Sequence, residues 1–238
     1  MHRFFIKEPI ADTVTLRGED VKHISRVLRL RDGDAITLCD GRGSECVAEI
    51  ESITKDAICC RCTAPIPCAG EPRTKVTIYQ GLPKTGKMET IVQKCVELGV
   101  DRVVPMLTDR CVVQPKESFQ SRIERWQRVS EEAAKQSQRG TIPIIEPLVA
   151  LKRVDLSQYD LALVAYENEQ TVSLKEALKA FSGTKIALLI GPEGGFEQAE
   201  IEHLVGEGAQ SVSLGTRILR TETAGMAMLA QVLYEVET

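Results

Sequence analysis

The feature that most constrains the fold is a change of rhythm after residue 72, where apolar strand-like stretches begin to alternate with helical ones. In Met88–Leu98 the apolar residues recur at helical spacing, and Gly99 follows as a C-cap. Strands that alternate with helices predict a mostly parallel sheet covered on both faces. The predicted strands are Val76–Gln80, Arg102–Met106, Leu161–Ala165, Lys185–Ile190 and Ser211–Leu214, and further helices are predicted near 118–137, 197–205 and the C-terminus. Residues 73–238 are therefore predicted to be an α/β domain.

The first 70 residues show a different pattern, in which short apolar stretches are separated by turn signals such as Asp32-Gly33 and Asp40-Gly41. This pattern predicts a small β-barrel or sandwich with one helix near residues 19–29. The stretch Thr63–Pro72 contains three prolines and a glycine, which is typical of a linker. Two domains are therefore expected, over residues 1–70 and 73–238.

The composition places limits on the class of protein. With 43% apolar and 27% charged residues, the chain has enough material for an ordinary globular core. A net charge of −4 excludes a uniformly basic surface, although a local basic patch can still bind nucleic acid. No apolar run is long enough to span a membrane and the N-terminus lacks the pattern of a signal peptide, so a cytoplasmic location is expected.

Four closely spaced cysteines, Cys59, Cys60, Cys62 and Cys68, raise the question of a zinc site. Structural zinc sites usually combine two Cys or His pairs separated by a longer arm, and no such second pair follows here. Cys59 and Cys60 also lie in an alternating, strand-like run. We therefore expect packing thiols and no metal.

Two glycine-rich loops follow predicted strands of the second domain. Gly191–Phe196 comes after Lys185–Ile190, and Gly215–Arg217 comes after Ser211–Leu214, while Tyr166-Glu167 follows a third strand. Ligands of open α/β sheets bind beyond the carboxyl ends of the strands, where glycine lets a ligand approach the main chain. Each loop alone is better explained as a tight turn, but two in one domain, the second followed by Arg220–Thr223, favour one pocket for a nucleotide-like ligand.

A third loop, Gly81–Lys87, nearly matches the phosphate-binding motif of nucleotide hydrolases. Met88 stands where that motif needs a hydroxyl for Mg²⁺, and Pro83 removes a backbone donor. The loop is therefore interpreted as a basic loop, with Lys84 and Lys87 near the pocket or near RNA.

On these loops and on other motifs along the whole chain, the sequence resembles the SPOUT superfamily of methyltransferases and, within it, the 16S ribosomal RNA (uracil-N3)-methyltransferase family. The motifs are His23–Leu30, Lys87-Met88, Gln93-Lys94, Glu97–Val100, Gln136-Ser137, Gly191–Phe196 and Leu214–Ala224. The resemblance implies an α/β fold in which a trefoil-knotted, mostly parallel sheet follows a small PUA-like β-barrel domain that binds RNA. It also implies a homodimer whose cofactor loops lie near the subunit interface. Gln138 and Thr85-Gly86 depart from the family pattern, outside the cofactor loops.

The function that the resemblance implies is S-adenosylmethionine-dependent methylation of N3 of a uridine in 16S ribosomal RNA, free or within the 30S subunit. Two alternatives stay open: a SPOUT methyltransferase acting on another RNA position such as a ribose 2′-hydroxyl, and a non-enzymatic RNA-binding factor. The candidate cofactor residues are Ala165, Tyr166, Glu167, Gly191, Pro192, Glu193, Gly194, Leu214, Gly215, Leu219, Arg220, Thr221 and Ala224.

The candidate catalytic residues are Arg220, a permanent cation that could stabilise a uracil oxygen, and Glu222, which could act as base or orient Arg220. A surface ion pair at a helix start is the alternative interpretation.

Val21–Arg31 contains no acidic residue, which favours phosphate contact over a merely solvated helix face. The candidate RNA-binding residues are Arg3, Lys22, His23, Arg26, Arg29, Lys84, Lys87, Gln136 and Arg139. The C-terminal helix is apolar around much of its circumference, as in a dimer interface or a core helix.

Overall fold

The computed structural model describes residues 1–84, 86–113 and 119–237, which form two compact units. Unit 1 consists of Met1–Glu71 together with Ala134–Ile142, and unit 2 consists of the described residues from Pro72 to Ala133 and from Pro143 onward. Among the described residues, no helix combines the length and apolarity that crossing a membrane would require.

Unit 1 is built on a curled sheet in which all strand pairs are antiparallel except β1 with β3. The strands are β1 Arg3–Phe5, β2 Thr13–Arg17, β3 Ala35–Cys39, β4 Ser44–Ile53, β5 Ala57–Cys62 and β6 Ile66–Pro67. Their order is β1-β3-β4-β5-β2, with β6 against β4. Alternate residues of β4 and β5 face the core, where Ile50 and Ile58 are fully buried. The predicted small β-domain is therefore confirmed.

The predicted helix near residues 19–29 is shorter than expected. Helix α1 covers only Glu19–Lys22 and continues as a π-helical turn over His23–Val27. Within this segment Ile24 is fully buried, and the chain leaves the turn at Arg29, whose φ of 56° is left-handed. Val21 and Ile24 thus anchor the segment in the core, while Lys22, Arg26 and Arg29 remain exposed.

The segment 134–142 completes unit 1 although it lies far along the chain. Thr141 forms bridges with Gly41 and Arg42, and Arg139 donates to Glu71 at 2.7 Å. Glu71 also accepts from the main-chain N–H groups of Gly140 and Thr141 at 2.9 and 3.0 Å. The side chains of Arg139 and Glu71 are only 5% and 10% exposed, so this buried ion pair joins the two chain segments of unit 1.

The pair formed by Glu71 and Arg139 predicts a pH-dependent loss of stability in the variant Glu71→Gln. Burial alone would raise the pKa of Glu71, but the hydrogen bond and charge of Arg139 outweigh it and hold that pKa below its usual value. A lowered pKa stabilises the folded state above the ordinary carboxyl pKa, and this contribution is lost as pH falls through the lowered value. We expect Glu71→Gln to lose about 3 kcal/mol of unfolding free energy at neutral pH.

Urea unfolding at neutral and acid pH tests this expectation, since the difference from wild type should shrink as the pH is lowered. Glu51→Gln is the matched control, because its partner Arg61 is 64% exposed and a surface pair contributes less than about 1 kcal/mol. Equal losses in the two variants would contradict the assigned role.

Unit 2 contains a sheet in which every pair of neighbouring strands is parallel. Its strands are β7 Lys75–Gly81, β8 Arg102–Leu107, β9 Ile144–Ile145, β10 Val149–Ala150, β11 Leu161–Ala165, β12 Lys185–Ile190 and β13 Gln210–Val212. The order is β10-β8-β7-β12-β11-β13, with β9 against β8. The helices are α2 Lys87–Glu97, α3 Phe119–Gln136, α4 Leu174–Leu178, α5 Gln198–Gly206 and α6 Thr221–Glu237.

The predicted parallel α/β sheet is confirmed, and its central strands are apolar because both faces are covered. Residues 186–189 of β12 are fully buried, as are Val76 and Ile78 of β7. The elements that the sequence pattern missed are β9, β10 and α4, which are too short to show a period. The trefoil knot does not follow from the strand order and stays a prediction.

Candidate functional site

The two glycine-rich loops and the Tyr166-Glu167 loop meet at one edge of the sheet in unit 2. Strand β11 lies between β12 and β13 and is parallel to both, so the three carboxyl ends point the same way. A cavity of about 540 Å³ lies at this edge. All thirteen candidate cofactor residues line it, and so do Lys87, Ile190, Gly195, Phe196, Ser213, Thr216, Arg217 and Ile218.

The two glycine-rich loops are called the first cofactor loop, Gly191–Phe196, and the second cofactor loop, Gly215–Arg217. The first is a tight turn in which Gly191 packs against Gly195. The N–H of Gly195 donates to the carbonyl of Pro192 at 3.0 Å, and Gly195 has a φ of 69°. Glu167 packs so closely against the α-carbon of Gly195 that a side chain there would collide with it. Phe196 is 1% exposed and fixes the end of the loop in the core. The left-handed φ favours glycine at position 195, whereas the exposed carboxylate of Glu167 could move aside for a larger residue.

A buried hydrogen-bond chain joins this loop to the start of α6. The hydroxyl of Thr221 donates to the carbonyl of Gly191 at 2.6 Å and accepts from the amide of Gln80 at 2.8 Å. Gln80 is fully buried and also donates to the carbonyl of Gly81 at 3.0 Å. The end of β7 thus positions both cofactor loops through one threonine hydroxyl. Sequence reasoning included Thr221 but missed Gln80, whose only signal was its place at a predicted strand end.

The Thr221 hydroxyl gives a prediction with a matched pair of variants. Thr221→Val keeps the shape but leaves one N–H of the Gln80 amide and the carbonyl of Gly191 without the partner they have now, at a cost of about 1–3 kcal/mol. We expect affinity for S-adenosylmethionine to fall about tenfold, as measured by isothermal titration calorimetry. Thr221→Ser keeps the hydroxyl and should bind nearly as wild type. Equal affinities of the valine and serine variants would show that the hydrogen bonds do not position the loops.

Lys87 is held between two carboxylates at the cavity. Its ammonium lies 3.1 Å from Glu222 and 3.2 Å from Glu193. The hydrogen bonds to Glu222 and Glu193 raise the pKa of Lys87, which stays charged at neutral pH. The main-chain N–H of Lys84 donates to Glu193 at 3.0 Å. In the loop that resembles a phosphate-binding motif, this N–H therefore binds a carboxylate of the protein. This agrees with the interpretation of Gly81–Lys87 as a basic loop beside the pocket.

The candidate catalytic pair is only partly brought together. Arg220 is exposed and lines the cavity, and within residues 1–84, 86–113 and 119–237 its side chain makes no hydrogen bond or ion pair. Glu222 instead pairs with Lys87. A hydrogen bond from its own N–H, with help from Lys87, lowers the pKa of Glu222, which makes it a weak base. Both predicted roles of Glu222, as base or as the group that orients Arg220, stay predictions; its ion-pair partner is Lys87, and the charge of Arg220 also acts on it.

The candidate RNA-binding residues of unit 1 divide into two groups. Lys22, His23, Arg26 and Arg29 are all exposed, and Gln136 is exposed at the end of α3. Arg3 is half-buried and pairs with Glu45 at 2.7 Å. Arg139 is 4% exposed. The guanidinium groups of Arg3 and Arg139 are thus engaged in contacts within unit 1, and their role in RNA binding stays a prediction.

The clustered cysteines lie on and after β5, with Cys60 buried and the other three half-buried. Burial raises the pKa of Cys60 to about 11 and that of Cys62 to about 12. These two thiols therefore stay protonated at neutral pH, whereas a metal binds the thiolate. Among the residues that the structure describes, no three His, Cys, Asp or Glu side chains form a cluster suited to a metal ion.

Sequence reasoning also missed Arg110, which follows β8 and contacts the first cofactor loop. Its guanidinium donates to the carbonyl of Gly194 at 2.8 Å and to both oxygens of Glu197 at 2.7 and 2.9 Å. The one available signal was its position after a predicted strand that ends at the same edge of the sheet.

Comparison with known proteins gives matches along nearly the whole chain. The RNA methyltransferase domain family matches residues 70–233, and the RNA methyltransferase PUA domain family matches residues 16–61. The ribosomal RNA small subunit methyltransferase E of Bacillus subtilis is 35% identical over 253 residues, covering 100% of this chain and 98% of that protein. The protein of the same name from Synechocystis is 35% identical over 227 residues, covering 94% of this chain and 73% of that protein.

The fold also matches a solved structure that carries a cofactor. The crystal structure of a ribosomal RNA small subunit methyltransferase E from Neisseria gonorrhoeae bound to S-adenosyl methionine aligns with a TM-score of 0.87 and 31% identity. The alignment covers 98% of this chain and 97% of that one. The range matched by the RNA methyltransferase domain family, residues 70–233, includes every residue that lines the cavity.

Proposed function

This chain belongs to the ribosomal RNA small subunit methyltransferase E family, and from that premise we propose that it transfers a methyl group from S-adenosylmethionine to N3 of one uridine in 16S ribosomal RNA. The observation that carries the proposal is that both cofactor loops line one cavity of about 540 Å³, a size typical of small-molecule sites.

The residues of the cavity fit this cofactor. At Gly191 a side chain would come within 3.1 Å of Gly195, and Gly215 has a φ of 107°, so both loops expose bare main chain that larger residues would cover. S-adenosylmethionine, when bound, supplies a methyl group activated by a positively charged sulfur. The main chain of Leu214, Gly215, Leu219 and Thr221 would hold its adenine and ribose, and Gly191, Glu193 and Gly194 would border it.

The acceptor nitrogen sets the remaining requirement. N3 of uracil carries a weakly acidic proton and becomes a good nucleophile only when that proton is lost. Arg220 stands at the cavity with a permanent charge and no side-chain partner among the described residues, so it is free to bind a uracil oxygen as negative charge develops. The ion pair between Glu222 and Lys87 would hold one negative and one positive charge in place beside Arg220.

RNA would be bound by the exposed cations of unit 1. Lys22, Arg26 and Arg29 share one short segment, and phosphate contacts of this kind make affinity depend on salt. Reversing Arg26 and Arg29 to glutamate should weaken RNA binding and flatten the slope of log affinity against log salt. The double reversal Arg61→Glu and Lys55→Glu, on another part of unit 1, is the charge-matched control. An unchanged salt slope for the first variant would remove this surface from the proposal.

The proposal extends to the location of the protein, its oligomeric state and the form of its RNA substrate. We propose a cytoplasmic homodimer that acts on the 30S subunit, as the family resemblance implies. Two large apolar side chains, Ile218 at the cavity and Tyr234 on α6, are 89% and 73% exposed, and a partner subunit would cover them. Light scattering in solution tests the dimer, and methylation assays on free 16S ribosomal RNA and on 30S particles from a deletion strain identify the substrate.

The decisive experiment is nucleoside mass spectrometry of 16S ribosomal RNA from a strain lacking this gene. We expect loss of 3-methyluridine and its return when the gene is restored. Loss of a 2′-O-methylated nucleoside instead would favour the ribose alternative. Unchanged modifications together with no binding of S-adenosylmethionine would favour a non-enzymatic RNA-binding factor.

A further inference from the structure

Arg110 is placed to control the first cofactor loop from outside the cavity. It does not line the cavity, yet it contacts the loop by a hydrogen bond from its guanidinium to the carbonyl of Gly194 at 2.8 Å. Its own side chain also lies against the α-carbon of Gly194, where a methyl group would come within 3.1 Å of the β-carbon of Arg110. Loop and arginine are therefore in contact through both polar and apolar atoms.

The guanidinium is itself fixed before any ligand binds. Its Nε and one terminal nitrogen donate to the two oxygens of Glu197 at 2.7 and 2.9 Å, a bidentate geometry that only arginine can form. Glu197 is the residue that caps the N-terminus of α5, together with Glu200. Arg110 is thus anchored on a rigid helix end while its third donor holds the loop.

A second contact ties the same segment to the same helix end. Glu200 is only 4% exposed and accepts from the N–H of Asp109 at 2.8 Å and from the N–H of Glu197 at 2.9 Å. The main chain next to Arg110 therefore cannot move independently of α5. The carbonyl of Gly194 is held by a preformed support, which is what a binding loop needs to avoid an ordering cost when ligand binds.

We propose that Arg110 is a positioning residue that sets the affinity for the cofactor by fixing the peptide between Gly194 and Gly195. It touches neither of the reacting groups. Because it acts through the loop, its loss should weaken the binding of S-adenosylmethionine and of its demethylated product equally, and leave the methyl-transfer step unchanged once cofactor is saturating. The inference rests on the proposed function in taking this cavity as the S-adenosylmethionine site.

The test uses the full chain and the variants Arg110→Gln and Arg110→Lys. Isothermal titration calorimetry with S-adenosylmethionine and with S-adenosylhomocysteine should show both affinities lowered about tenfold for either variant. Lysine should not rescue, because its single nitrogen cannot reach both oxygens of Glu197 and the carbonyl of Gly194 as the three guanidinium nitrogens do. Steady-state assays on ribosomal RNA should show a raised KM for S-adenosylmethionine with kcat near wild type. Arg128→Gln, which removes an exposed arginine of α3, is the control and should change neither value.

The outcomes separate the possible failures. Wild-type affinity in both variants, or a fall in kcat with unchanged affinity, would overturn the positioning role. A lower melting temperature with unchanged affinity would also overturn it, in favour of a purely structural role. If the wild-type chain binds S-adenosylmethionine but makes no 3-methyluridine, the proposed substrate fails while the affinities still decide the inference. If the wild-type chain does not bind the cofactor, both fail.

Discussion

Replacing Arg220 by alanine is expected to lower kcat for methyl transfer by about 100- to 1000-fold, the range seen when a single fixed donor to a developing negative charge is removed. The side chain is exposed at the cavity and makes no hydrogen bond or ion pair with another described residue, so its removal costs the fold little. Because Arg220 lines the cavity directly after the second cofactor loop and forms no ion pair with the residues that the structure describes, its guanidinium is available to substrate. A guanidinium is a permanent cation with a planar fork of donors, which suits it to stabilise the uracil anion.

Three measurements separate this role from a general defect. Calorimetry should show that Arg220→Ala binds S-adenosylmethionine nearly as wild type, and its melting temperature should be unchanged. Arg220→Lys should retain part of the activity, because it keeps the charge and loses the planar fork. Arg128→Ala, on the exposed face of α3, should be fully active. Normal turnover by Arg220→Ala would show that the negative charge is stabilised elsewhere, with Lys87 the next candidate.

The parts of the site that the sequence could predict are those that depend on local order. A strand followed by glycine is visible as a pattern, and the parallel sheet then places the ends of β11, β12 and β13 at one edge. For this reason both loops could be placed at one pocket in advance, whereas their assignment to a cofactor and the choice of Thr221 came from the family resemblance.

The parts that the sequence could not predict depend on contacts between distant segments. Arg110 and Glu197 are 87 positions apart, and Gln80 and Thr221 are 141 apart. Burial is equally invisible in a single sequence. Arg139 looks like any basic residue near a helix end until Glu71 is found beside it. Glu222 was assigned to Arg220 by adjacency, whereas the fold brings Lys87 to it from the start of α2.

Gly81→Ala is expected to damage the cofactor site although Gly81 was predicted only as part of a basic loop. A methyl group on Gly81 would lie 2.6 Å from the nitrogen and 2.7 Å from the Cδ of Pro192, and 2.9 Å from the carbonyl carbon of Gly191. These atoms belong to the first cofactor loop and cannot rotate away as the end of a side chain could. Strands β7 and β12 are paired up to Gln80 and Ile190, so the sheet cannot separate to make room.

The strain must therefore be taken up by a shift of the loop. We expect Gly81→Ala to lose about 1–3 kcal/mol of unfolding free energy, as overpacked cores do. We also expect its affinity for S-adenosylmethionine to fall at least about tenfold, because a displaced loop no longer matches the cofactor and each loss of about 1.4 kcal/mol in binding free energy is a factor of ten. Thermal unfolding and calorimetry on the same preparation measure both quantities.

A glycine in open space provides the control for this steric argument. Gly206, at the end of α5, has nothing within 4 Å of an added methyl group and no positive φ. Gly206→Ala should leave cofactor affinity unchanged and leave stability unchanged or raised by about 0.5–1 kcal/mol, since alanine loses less backbone entropy on folding. If Gly81→Ala also bound S-adenosylmethionine as wild type, the loop would have to tolerate a displacement at Pro192. Cofactor affinity would then not depend on the position of the Gly191–Pro192 main chain, and the argument from its close packing against Gly81 would be wrong.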